Sequence, residues 1–186
     1  MTQNNHPQAP SWEITHWFNT PEPLSLECLH GKIIVIEAFQ MLCPGCVSHG
    51  LPLATRVSQM FDSSRVAVIG LHTVFEHHQV MTKEALEVFI HEYRIPFPIG
   101  IDTPDPENAI PLTMGRYAMQ GTPSLILIDH KGRIRQHHYG SVSDLQLGVE
   151  IAELLFEANS EKAEVNPQSE QAVDSSDNCS TGKCAI

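Results

Sequence analysis

The chain has 186 residues, enough for one well-cored domain, and carries 22 acidic against 11 basic side chains for a formal net charge of −11. That acidity argues against nucleic acid or an anionic membrane surface as a main partner, and no apolar run approaches the length of a membrane span. Met1–Pro10 is polar and lacks the apolar core of a signal peptide, so the chain reads as cytoplasmic, where five cysteines speak for redox or metal chemistry rather than structural staples.

In chain order, residues 1–11 read as a loose N-terminal arm, 12–157 as one domain, and 158–186 as a disordered acidic tail with almost nothing to bury. Lys32–Phe39 is rich in β-branched residues and predicts a buried strand, followed by a helix over Val47–Phe61. Arg65–Leu71 predicts a second buried strand. Thr82–Tyr93 places Ala85, Leu86, Phe89 and Ile90 at helical spacing, with Thr82 as N-cap. Pro98–Ile101 is a brief strand and Ala109–Tyr117 a helix or helical turn. Ser124–Asp129 and Ile134–His138 flank His130-Lys131-Gly132, which predicts a β-hairpin. Ser143–Phe156 closes the domain as an amphipathic helix, with Leu145, Val149, Ala152, Leu155 and Phe156 as its expected apolar stripe. Such alternation predicts an α/β fold, a mixed β-sheet with helices on both faces.

Between the first strand and its helix stands Cys43-Pro44-Gly45-Cys46. A C-x-x-C at a helix N-terminus is the sequence sign of a dithiol redox site. The first cysteine meets orphan N–H groups and the positive end of the helix dipole, which favour a thiolate, and the second lies one turn on, within reach of a disulfide. Pro44 suits the first helical position. Half of a zinc site is the alternative, but it needs two more ligands, and no second Cys/His pair stands nearby in a knuckle-like arrangement.

The order strand, C-x-x-C helix, strand, helix, Gly121-Thr122-Pro123, hairpin, helix resembles the thioredoxin fold. Leu26–Lys32 and Gly121–Asp129 with Lys131-Gly132 make it similar to the redoxin branch that includes the TlpA/ResA-like thiol–disulfide oxidoreductases. The resemblance, which spans about residues 12–157, implies roles. Cys43 would be the exposed nucleophile and Cys46 the buried resolving thiol. Pro123 would be the cis-proline of the loop facing the site, with Thr122 presenting its backbone to an extended substrate. Glu37 interrupts an apolar strand six residues before Cys43, where thioredoxins carry a buried acid that takes the proton of the resolving thiol; the alternative is a Glu37 on a wet face of the sheet. Leu42 replaces the aromatic residue common before the first cysteine. Pro52 lies six rather than five residues after Cys46, which predicts a differently kinked helix. Cys28, alone on an amphipathic turn, reads as packing.

His72, His77 and His78 follow the second strand and read as solvated loop residues, with a metal site as the lesser alternative; His137 and His138 point to opposite faces of a strand. Cys179 and Cys184 form a second pair in the tail. A flexible tether from Ala158 has an r.m.s. span near ~25 Å against a domain radius of roughly 15 Å, so exchange with Cys43–Cys46 is the favoured reading, ahead of soft-metal binding or an unused end. The chain is therefore expected to be a monomeric thiol–disulfide oxidoreductase without a cofactor. It is expected to reduce protein disulfides at the expense of a thiol reductant or reductase. A peroxiredoxin-like thiol peroxidase is one alternative, although Gln40 and Ile36 stand where such enzymes usually place Thr and Pro. A metal-carrying thioredoxin-fold protein is the other.

Overall fold

A computed structural model describes residues 6–165 of the chain. Six strands form one mixed sheet: β1 (Ile14–Phe18), β2 (Ile33–Phe39), β3 (Val66–His72), β4 (Ile99–Asp102), β5 (Ser124–Ile128) and β6 (Ile134–Tyr139), in the spatial order β1-β4-β3-β2-β5-β6. The β2–β3 and β3–β4 pairs are parallel, and the remaining pairs are antiparallel. Four helices accompany them: α1 (Leu51–Met60), α2 (Lys83–Glu92), α3 (Leu112–Arg116) and α4 (Asp144–Val165). This is the thioredoxin-like α/β arrangement expected from the sequence.

Central β2 is buried at all seven positions, because helices cover both sides of the sheet. Its alternation sorts the core. Ile33, Val35 and Phe39 pack with Leu53 of α1, Leu86 of α2 and Ile151 of α4 on one face. Ile34, Ile36 and Ala38 pack with Met114 of α3, Tyr117 and Leu29 on the other. Local signals hold where they were read: the Thr82 hydroxyl accepts the Ala85 N–H at 3.3 Å to cap α2, and Gly132 takes φ +79° in the hairpin turn.

Three expectations need correction. Residues 6–11 are tied down rather than loose. Ile134 N–H donates to the Pro7 carbonyl, Ala9 N–H to that of Gly132, and the Tyr117 hydroxyl to that of Pro10 at 2.7 Å. The closing helix continues past 157 to Val165, and its expected stripe is mostly the wet face. Leu145, Val149, Ala152 and Phe156 are exposed, while Leu147, Ile151, Leu154 and Ala158 face the sheet. Both sets obey helical spacing, so periodicity alone does not choose between them. Strand β1 was not read from the sequence because four of its five residues are half-buried, which leaves no clean alternation.

The assignment of the α4 face has a direct consequence. Ile151→Ala is expected to destabilise the protein by about 2–4 kcal/mol through lost burial and a residual cavity. Phe156→Ala is expected to stay within about 0.5 kcal/mol of wild type. Urea unfolding of the two variants checks this, and comparable losses would place Phe156 in the core.

Candidate active site

Pro44 is the first helical residue after β2, and the Val47 N–H closes the first turn on the Cys43 carbonyl at 3.1 Å. Helical geometry then changes. Cys46–Gly50 forms a single π turn, in which the Leu51 N–H reaches back five residues to the Cys46 carbonyl. Pro52, the second residue of α1, explains the change. It has no N–H to offer Ser48 four residues back, and its ring presses on that carbonyl, so one widened turn relieves the conflict.

Cys43 and Cys46 are joined as a disulfide with their Cα atoms 5.3 Å apart. Cys43 is half-buried and Cys46 fully buried, the order expected of an attacking and a resolving thiol. The Cys46 N–H points at the Cys43 sulfur from 3.2 Å, so a thiolate there gains a backbone donor as well as the helix dipole. Opposite, the Thr122 carbonyl oxygen lies 3.4 Å from Cys43 Sγ, and the Thr122–Pro123 peptide is cis. Leu42, next to Cys43, is 58% exposed, and Tyr139 is 60% exposed. The Tyr139 ring lies over Gly121, where a Cβ would come within 3.0 Å of it.

Glu37 belongs to the face of β2 that packs under the active-site helix, and it is 1% exposed. The wet-face alternative therefore fails. Its carboxyl sits against Gly50, where any Cβ would collide with Oε1 and lie 3.2 Å from Pro123 Cβ. Oε1 has no hydrogen-bond partner among the described residues, and burial pushes the carboxyl well above the usual carboxylate range. Buried Cys46, a buried acid and the cis-proline loop thus converge on one end of the sheet, and the chemistry this arrangement supports is thiol–disulfide exchange.

The chain matches the AhpC/TSA family over residues 6–137. The chain belongs to that family. It is also 59% identical, with a TM-score of 0.78, to the crystal structure of a thioredoxin-like superfamily protein, covering 80% of this chain and 96% of that one. A thiol-disulfide isomerase from Corynebacterium glutamicum is 53% identical with the same TM-score of 0.78, over 82% of this chain and 97% of that one. Protein DipZ of Mycobacterium bovis is 30% identical over 129 residues, which is 68% of this chain but 17% of DipZ. Within the AhpC/TSA family, Cys43 and Cys46 make this chain a thiol–disulfide oxidoreductase.

Other sequence-derived residues land elsewhere. His72 is no solvated loop residue: it ends β3, is 1% exposed and packs on the Phe39 ring with centroids 5.2 Å apart. Burial pushes it down to about 4, which keeps it neutral at physiological pH. His77 and His78 are exposed, and no group of three or more His, Cys, Asp or Glu among the described residues is arranged to hold a metal ion. Cys28 is exposed rather than packed, its sulfur 3.1 Å from both the N and O of Ser25. Cys179 and Cys184 lie outside the described residues. From the sequence, neither Gln40 nor Gly50 is placed in the site. Gln40 Oε1 accepts the Phe75 N–H at 3.3 Å and ties the loop before Cys43 to the segment after β3. A glycine two residues ahead of a helix proline was the available signal for Gly50.

Glu37 yields a signed prediction. Its folded value lies above the ordinary 4.5, so the unfolded chain ionises first and binds fewer protons. Stability is then lost as pH rises above that ordinary value, until the folded-state group ionises in turn. Glu37→Gln removes the effect, so oxidised E37Q is expected to gain on wild type steadily from pH 4.5 upward. Parallel unfolding curves at several pH values check this, and a constant gap would mean that Glu37 is not held protonated.

Proposed function

We propose that the chain uses Cys43 and Cys46 to reduce disulfides in polypeptide substrates and is recharged by a dithiol reductant or reductase. The observation that carries this reading is the juxtaposition of the half-buried Cys43 sulfur with the Thr122 carbonyl at 3.4 Å. A substrate strand laid along Thr122 brings its own disulfide to the accessible sulfur. The Cys43 thiolate attacks one substrate sulfur and expels the other as a thiolate, leaving a mixed disulfide. Cys46 gives its proton to the Glu37 carboxylate and attacks Cys43 Sγ. The second substrate thiolate departs, and two electrons have passed from the dithiol to the substrate. Burial raises Glu37 above the usual carboxylate range, which makes it a better proton acceptor than an exposed carboxylate.

The peroxidase alternative fits less well. Gln40, which occupies the position expected for a peroxide-orienting hydroxyl, spends its side-chain oxygen on the Phe75 N–H, and Ile36 faces the opposite core. The thiol-disulfide isomerase from Corynebacterium glutamicum supports exchange on polypeptides. The DipZ relatives are far longer than the matched segment, so their whole activity is not carried over. A reducing role and a cytoplasmic location belong together in this proposal, because a reductant must be recharged from a reducing pool. The monomeric state and the Cys179/Cys184 relay are parts of the same proposal.

Insulin reduction with a dithiol reductant tests it. Cys43→Ser is expected to abolish turnover, and Cys46→Ser to accumulate a substrate adduct visible by mass spectrometry. Glu37→Gln is expected to slow turnover on the order of 10²-fold. Removal of residues 166–186 is expected to leave this activity intact, which confines the tail to coupling with a partner. An inactive wild type would sink the reading.

A further inference from the structure

Strand β3 has seven residues and β4 only four, and the mismatch leaves a slot in the sheet. The two strands pair from Gly70↔Ile99 to His72↔Ile101 and no lower. The last bond below the ladder runs from the Gly70 N–H to the Pro98 carbonyl at 2.9 Å. The segment beyond is Pro96-Phe97-Pro98, and neither proline has an N–H to offer β3. Backbone groups on a strand alternate sides, so Val68 and Val66 present theirs to the same side as Gly70. The Val66 N–H is taken by the Asp62 carbonyl at 2.9 Å. The Val68 N–H, the Val68 carbonyl and the Val66 carbonyl are left facing the slot, and no hydrogen bond among the described residues takes them.

The slot is a cavity of about 350 Å³, walled by Leu24, Leu29 and Phe97 beside β3, with Lys32, Gln59 and Ser63 also lining it. Backbone groups left unpaired beside a largely apolar, half-open wall offer hydrogen bonds that an incoming strand can take up. We propose that an extended, apolar segment of a partner polypeptide enters this slot as an added strand beside Val66–Ile69. Its own N–H and C=O groups supply the spacing that Val68 requires, and its alternate side chains meet the apolar walls. Four strand residues offer about 13 Å of edge, enough for a short segment. The chain's own residues 166–178 suit the slot poorly, since Ala172 and Val173 are the only apolar pair in a polar, acidic run. The slot lies at the end of the sheet away from Cys43, so a polypeptide held there leaves the dithiol free.

The test is a titration of the full ¹⁵N-labelled chain with the cysteine-free heptapeptide acetyl-Thr-Val-Thr-Val-Thr-Val-Lys-amide, read by NMR. The expected result is a saturable shift and slowed hydrogen exchange at the Val68 amide. Gln59→Trp and Ser63→Trp, two exposed rim positions, are each expected to weaken binding at least tenfold while turnover of a small disulfide stays within twofold. Three titration results would overturn the proposal: no response at Val66–Ile69 with millimolar peptide, undiminished binding in both folded and active Trp variants, or a response confined to Cys43 and Thr122. A Val68 amide already protected in the full chain, and released when residues 166–186 are removed, would overturn it in favour of the chain's own tail.

Discussion

The active site depends on a missing side chain. Gly50 lets the helix that carries Cys46 rest directly on the Glu37 carboxyl and beside Pro123, where a Cβ would collide with the first and crowd the second at 3.2 Å. Gly45 repeats the device one turn earlier, with its Cβ position 3.3 Å from Pro123 Cδ. With bulk at either place, the helix would stand off the cis-proline loop. The 3.4 Å approach of Cys43 Sγ to the Thr122 carbonyl would then open. The glycines matter here for proximity and not for unusual backbone angles, since Gly50 is helical with φ −60°.

The same contact explains the state of the acid. Glu37 lies among Val35, Phe39 and Val68 on the helix-facing side of β2 and β3, a place where water does not reach. An ionised carboxylate there would cost far more than a neutral one, so burial pushes the group well above the usual carboxylate range. That is a loss for folding and a gain for exchange chemistry. A buried acid close to the resolving thiol's helix, with its proton affinity raised by burial, is what the second half of the reaction asks for. Asp102 shows the other solution on the same sheet: also buried, it accepts the Thr113 and Met114 N–H groups at 2.9 Å each. The chain therefore left one internal carboxyl oxygen without a partner at the site and supplied partners for the acid that only holds α3 in place.

Much of this was legible because β2 is an unmixed apolar strand broken by one acid and followed by C-x-x-C. The strand's burial, the helix after it and the position of Pro123 all follow from local chemistry. Long-range packing was less visible. The two candidate faces of α4, one led by Leu145 and Phe156 and the other by Leu147 and Ile151, have the same spacing, and only the sheet beneath decides between them. His72 follows the same logic, since nothing local marks a histidine at a strand end as a core residue stacked on Phe39. The anchoring of residues 6–11 rests on contacts more than 100 residues away in the chain, at Tyr117, Gly132 and Ile134.

The direction of α4 also reshapes the question of the second cysteine pair. Glu161 near its end bonds Lys131 and His130 in the β5–β6 turn, and Asn159 accepts from Arg65 just before β3. Both partners lie at the end of the sheet where β2 begins, whereas Cys43 follows the end where it finishes. Seven residues of β2 alone separate these poles by about 23 Å. Fourteen residues join Val165 to Cys179, and whatever their conformation they span at most about 50 Å. An intramolecular exchange therefore has to carry the pair along the whole height of the sheet. A reach that looks ample when counted from Ala158 becomes demanding when counted from Val165, the last described residue of α4. Exchange between copies, or with another protein's thiols, competes on better terms than a tether from the near pole would have allowed.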